Sequence, residues 1–300
     1  MITLRQFLAA QYDWTGITSK ILSSTAWHAG ALALVGGLVL LLIFLYHLLW
    51  LRLAFSDLAT VPIGLEHMFP AMTHFELAAL FLPLLLLLSR VFRIWRFTMG
   101  GEGRPRVPLA AYAGGVWTYV QHSMTHSLVR KCADSRWWFG HWVLALGTMM
   151  MLMIKTIDLR WFQTDQVYPL YHPQRWLGYL ATAFILYGLL NLFVRRMRDQ
   201  GKNLQQDSGF KDLAFPILLL LTALSGMAVH MLRCAGMERA TLAAYTLHLV
   251  VVTPMLVIEM SFGKWSHMIY RPLALYFYGL REKADRRQPA PAQEALGHVI

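Results

Sequence analysis

Cysteine is nearly absent: Cys132 and Cys234 are the only two in 300 residues. Two thiols cannot build a four-cysteine cluster site, so the chain has no iron–sulfur motif of its own. The topology derived below sets them on opposite sides of a membrane, which excludes a disulfide between them. Charge is scarce as well. Asp, Glu, Lys and Arg make up 14% of the residues, against about 25% in an ordinary soluble domain, and that excludes such a domain. Acids are the scarcer kind, 16 against 27 basic residues, for a net charge of +11. An excess of that sign can mean nucleic acid. Here, however, the basic residues gather in loops flanking apolar runs, where they act as topology signals and meet anionic lipid headgroups. Nucleic acid is therefore excluded as a partner. No cleavable leader is expected, since the first twenty residues are mixed and include Arg5, Asp13 and Lys20. No inverted internal repeat and no matched pair of broken helices is visible, which weighs against a transporter.

What is present is apolar length. With 57% hydrophobic residues and a mean hydropathy of +0.45, the repeated runs near twenty residues predict an all-α, polytopic membrane helical bundle. About six transmembrane helices are expected, over 26–50, 74–97, 137–157, 174–194, 213–233 and Thr241–Tyr278. Arg90, Arg93 and Arg96 close the second, Arg195, Arg196 and Arg198 the fourth, and a basic segment follows the sixth. Loops after the first, third and fifth are poorer in Lys and Arg, so both termini are expected to be cytoplasmic. The organisation predicted is an interfacial N-terminal segment (1–25), a transmembrane hairpin (26–106) and a cytoplasmic amphipathic linker (107–136). A membrane domain (137–280) and a flexible cytoplasmic tail (281–300) complete it.

Twelve histidines are present, and several fall at helix ends. Any one of them is more often an interfacial anchor than a ligand, so pairing is what matters. In Thr241–Tyr278, His248 and His267 lie about 28 Å apart along a helix, with Pro254 and Glu259 between them. Haem takes an axial ligand from a helix on either side. His141 and His267 can face each other if the third and sixth spans are neighbours, and His248 then needs a partner near the outer face. Positions 248 and 267 differ by about 100° on an ideal helix, a mismatch that a kink or bulge at Pro254 can absorb. Gly140, Gly147, Gly226 and Gly263 can make room for a porphyrin or serve helix packing. Glu259 suits a proton path, a quinone contact or a buried hydrogen bond to a neighbouring helix. Arg136 and Arg271 suit propionates or interfacial anchoring. His122 and His126, at i and i+4, suit a metal less well than an exposed helix face.

One stretch has a more specific look. SFGKWSHMIYRPLALYFYG, preceded by HLVVV, resembles the end of the membrane domain of NarI-like cytochromes b. These include nitrate reductase gamma, DsrM and heterodisulfide reductase E-type subunits. The membrane subunit of the quinone-interacting membrane-bound oxidoreductase and the membrane half of tricarballylate-utilisation protein B are similar too. There, an aromatic–x–Lys–aromatic–x–His–x–x–Tyr–Arg element closes the last helix. THSLVRKCADSRWWFGHWVLALGTMMMLMIKT and SGFKDLAFPILLLLTALSGMAVHMLR resemble two earlier helices, so the likeness covers about 120–280. It implies that His141 and His267 ligate a cytoplasmic-side haem b and that His248 is one ligand of an outer haem. The second outer ligand stays open among His230, His47, His74 and Met151, because Met149, Met150 and Met151 stand where nitrate reductase gamma subunits place a histidine. The resemblance further implies quinol oxidation on the outer side, near Lys155 and Asp158, two residues that equally suit interfacial snorkelling. It implies a separate cytoplasmic iron–sulfur or flavin subunit docked on the basic inner loops, and a bacterial inner membrane. Two other readings compete: a haem-free membrane anchor or transporter subunit, and a stand-alone b561-like electron carrier using His28 and His47.

Overall fold

In the computed structural model of this chain the described residues are 20–21, 24–54, 65–99, 107–125, 135–156, 168–198, 210–263, 265 and 267–285. They form helices and no strands. In chain order these are α1 (Thr25–Ala54), α2 (Leu65–Met99), α3 (Leu109–Thr125), α4 (Ser135–Thr156), α5 (Pro173–Arg198), α6 (Phe210–Cys234), α7 (Glu238–Pro254) and α8 (His267–Asp285). A π-helical turn, Met255–Glu259, extends α7. Six segments are long and apolar enough to cross a membrane: Thr25–Tyr46, Leu77–Arg96, Ser135–Thr156, Arg175–Arg198, Leu213–Cys234 and Glu238–Glu259. The first five agree with the predicted spans to within a few residues.

The sixth differs. Thr241–Tyr278 is not one helix, because the chain leaves helical geometry after Glu259, turns through Met260–Gly263 and begins α8 at His267. Pro254 removes a backbone donor and crowds the preceding turn, and the backbone responds with the wider π repeat. Gly263 then closes it, its N–H bonding to Ile258 O at 3.1 Å and to Glu259 O at 3.0 Å. Helical length therefore no longer joins His248 to His267.

The chain divides into two units, 1–85 with 134–266, and 86–133 with 267–300. In the first, α4 packs on α5, α6 on α7, and α1 against α7. The α4–α5 seam is built on glycine: Gly140 lies against Asn191, Gly147 against Ala181 and Phe184, and Gly188 against Leu144. Two of the glycines considered for porphyrin access therefore serve helix packing. Between α6 and α7, Gly236 takes φ +70 and the Met237 N–H bonds to Leu232 O at 3.1 Å, a Schellman turn that sends α7 back along α6. Val39, Ile43, Tyr245 and Leu249 knit α1 to α7, whereas Leu34, Leu38, Leu41 and Phe44 of α1 are exposed, as lipid-facing side chains are. The second unit joins α3 to α8 through Tyr276, whose hydroxyl donates to Tyr112 O at 2.7 Å beside the edge of Tyr119. Burial, and then Tyr112, push the Tyr276 phenol above its usual range.

Candidate functional site

Five helices of the first unit contribute to a common cavity of about 350 Å³, which lies within the range of small-ligand sites, about 300–1,000 Å³. Leu219, Thr222, Gly226, His230 and Arg233 of α6 recur at helical spacing along one wall; Tyr245, His248 and Val252 do the same on α7. Thr148, Met151 and Lys155 of α4, Arg175, Tyr179 and Thr182 of α5, and Ala79 and Leu80 of α2 add to the lining. Most of the wall is apolar. The polar groups gather where α4 ends, α5 begins and α6 ends.

His248 is buried on this wall, and its Nδ1 lies 2.9 Å from Ser225 Oγ. The serine hydroxyl also lies 3.2 Å from Thr222 O, to which it can donate while it accepts from the ring. A neighbouring group on one ring nitrogen is also what orients a ligating imidazole. Gly226 sits against the ring, and a methyl there would come within 3.2 Å of His248 Cε1.

His230 differs in kind. Arg175 Nη1 lies 2.6 Å from its Nδ1 and Tyr179 Oη lies 2.6 Å from its Nε2. The same Nη1 lies 3.0 Å from Nε2, so both ring nitrogens have neighbours. Of the candidates named for an outer ligand, Met151 and His230 share the cavity with His248. The side chains of His47 and His74 lie outside the described residues, as do Asp158 and the side chains of His267, Arg271 and His122. Lys155 lines the cavity near its charged end. Arg136 is exposed.

Glu259 does not line the cavity. Its Oε1 lies 2.7 Å from His28 Nε2, with the two side chains 0% and 3% exposed, so it makes the buried bond to a neighbouring helix. Gly263 permits it, because a Cβ at that position would overlap the Glu259 carboxylate. His141 is half-buried and lies against Trp137, with ring centroids 5.4 Å apart. Sequence reasoning missed Arg175, Tyr179, Ser225 and Arg233. Only Arg175 and Arg233 left a signal, as cations inside the apolar spans.

Fold and cavity together define a class, a helical integral-membrane protein with a ligand-sized cavity inside its bundle. No protein-family model, no curated protein and no solved structure matches the chain.

Proposed function

We propose that this protein is a membrane electron-transfer subunit of the cytochrome b type, with a haem b held in the cavity through His248. The observation that supports this reading most is the buried His248 imidazole, held by Ser225 on the wall of a mainly apolar cavity with cations at one end. The residues fit the group: His248 is an imidazole, Met151 is a thioether on a second helix lining the same space, and Lys155, Arg175 and Arg233 suit propionates. A bound haem b supplies one-electron chemistry at a potential set by its ligands and their hydrogen bonds. The chain's own part is to hold that group, orient it through Ser225 and exclude water with Leu152, Ile185, Val252 and their neighbours. By the sequence resemblance, His141 and His267 are proposed for a second haem b. On the same ground the quinone pool is the partner on the lipid side, a cytoplasmic iron–sulfur or flavin subunit is the partner in solution, and the membrane is a bacterial inner one.

A dithionite-reduced minus oxidised spectrum of the purified protein, with haem counted as the pyridine haemochrome, tests the reading. A b-type spectrum is expected, and His248→Ala should remove one haem per chain while insertion is unchanged. Full haem in His248→Ala would take the cavity out of the assignment. A haem-free carrier or anchor is the second reading, favoured by the break at Met255–Gly263 with its buried Glu259–His28 pair; folded protein without haem selects it.

A further inference from the structure

The helix α3 sorts its residues into three sectors. At about 100° per residue, Tyr112, Gly115 and Tyr119 fall on one line, and that line packs on α8. Gly115 lies against Tyr276 and Leu280, and Tyr119 meets Tyr276 edge-on. A second sector, about 100° wide, holds Leu109, Ala113, Val116, Trp117, Val120 and Met124. All six are exposed, Leu109 by 86% and Trp117 by 66%. The third sector is exposed as well but bears Gly114, Gln121 and Thr125. No Asp, Glu, Lys or Arg stands anywhere in α3. A contiguous apolar stripe of this kind left in water marks an interaction surface.

The position of α3 says what covers it. It is not among the six segments long and apolar enough to cross a membrane, and its 17 residues reach only about 25 Å against a hydrocarbon core of about 30 Å. In the last turn of the second span, Trp95 donates its indole N–H to Tyr112 Oη at 3.1 Å. That bond holds the start of α3 where Leu77–Arg96 leaves the bilayer. A helix at this level, apolar along one sector and polar along another, lies in the plane of the interface, and tryptophan is enriched at that depth. Charge points the same way. The second unit, 86–133 with 267–300, has 12 Lys and Arg against four Asp and Glu, so it holds +8 of the chain's +11. Ion pairs inside the unit leave that excess unchanged.

We infer that α3 and α8 form a lipid-docking module. The helix α3 lies along the leaflet into which the second span emerges, with its stripe sunk to the acyl boundary, and the positive excess around it selects anionic headgroups. The inference is independent of the haem reading.

The test uses the full chain in lipid nanodiscs, with Cys132→Ser and Cys234→Ser and a nitroxide label on one introduced cysteine at a time. Ala113→Cys, Trp117→Cys, Val120→Cys and Met124→Cys sample the stripe; Gly114→Cys, Gln121→Cys and Thr125→Cys sample the polar sector. Collisions with oxygen, which partitions into lipid, are compared with collisions with a water-soluble nickel chelate. Stripe labels should favour oxygen and polar-sector labels nickel, alternating with the helical period. The oxygen-to-nickel ratio at the stripe should rise by about twofold or more when phosphatidylglycerol replaces part of the phosphatidylcholine, and high salt should reverse the rise. Equal access to nickel all round the helix would overturn the docking. Stripe labels shielded from both reagents would overturn it too, because a second copy or another protein would then cover the stripe. A ratio indifferent to phosphatidylglycerol would overturn the headgroup selection. Should Trp117→Cys not fold, Val116→Cys is held to the same criterion.

Discussion

Two histidines in one bundle do opposite things, and the residues one bond away decide which. His248 meets a serine hydroxyl, on the wall of a mainly apolar cavity. His28 meets a carboxylate, with both groups shut away from solvent. In a bilayer a buried polar group is tolerable when a neighbouring helix supplies its partner, as each of these two does for the other. Removing one partner strands the other. His28→Ala should therefore destabilise the protein by about 3–5 kcal/mol, read as a lower unfolding midpoint in detergent. The double change His28→Leu with Glu259→Leu should return most of that stability, since an apolar pair of similar volume leaves no charge behind. An unchanged midpoint in His28→Ala would mean that the bond contributes nothing. Neither partnership was legible in the sequence. Ser225 is 23 residues from His248 and Glu259 is 231 from His28, and no local pattern encodes a meeting across helices.

Elements were far more legible, because a bilayer imposes a length and a composition that any apolar run must meet. Five spans follow from that alone. The sixth was overextended because SFGKWSHMIYRPLALYFYG is apolar enough to continue a helix, while Pro254 and Gly263 are local stops that composition does not weigh. The seam between α4 and α5 tests how glycine is used. A methyl at Gly188 would run into Leu144, and one at Gly37 would meet nothing within 4 Å. Gly188→Ala should thus cost about 1–3 kcal/mol through overpacking. Gly37→Ala should be neutral or gain up to about 1 kcal/mol from helix propensity. Unfolding midpoints of the two variants measured side by side check this, and equal midpoints would mean that the seam yields freely. Gly188→Ala should also loosen the cavity wall formed by Thr182 and Ile185 on the same helix.

At the scale of the whole molecule, the basic residues sort by side. One set of loops holds Arg90, Arg93, Arg96, Arg104, Arg106, Arg130, Lys131 and Arg136, then Arg195, Arg196, Arg198, Lys202 and Lys211, and then the segment from Arg281 onward. The opposite set holds only Arg52, Lys155, Arg160, Arg175, Arg233 and Arg239, and half of these belong to the cavity. Asymmetry of this kind in short loops sets orientation. We therefore expect both termini and the 100–134 and 199–209 segments in the cytoplasm, with 55–64, 157–167 and the charged end of the cavity outside. A green fluorescent reporter at the C-terminus should glow, and alkaline phosphatase inserted within 157–167 should be active. The reverse pattern would overturn the orientation and place the cavity's cations on the cytoplasmic side.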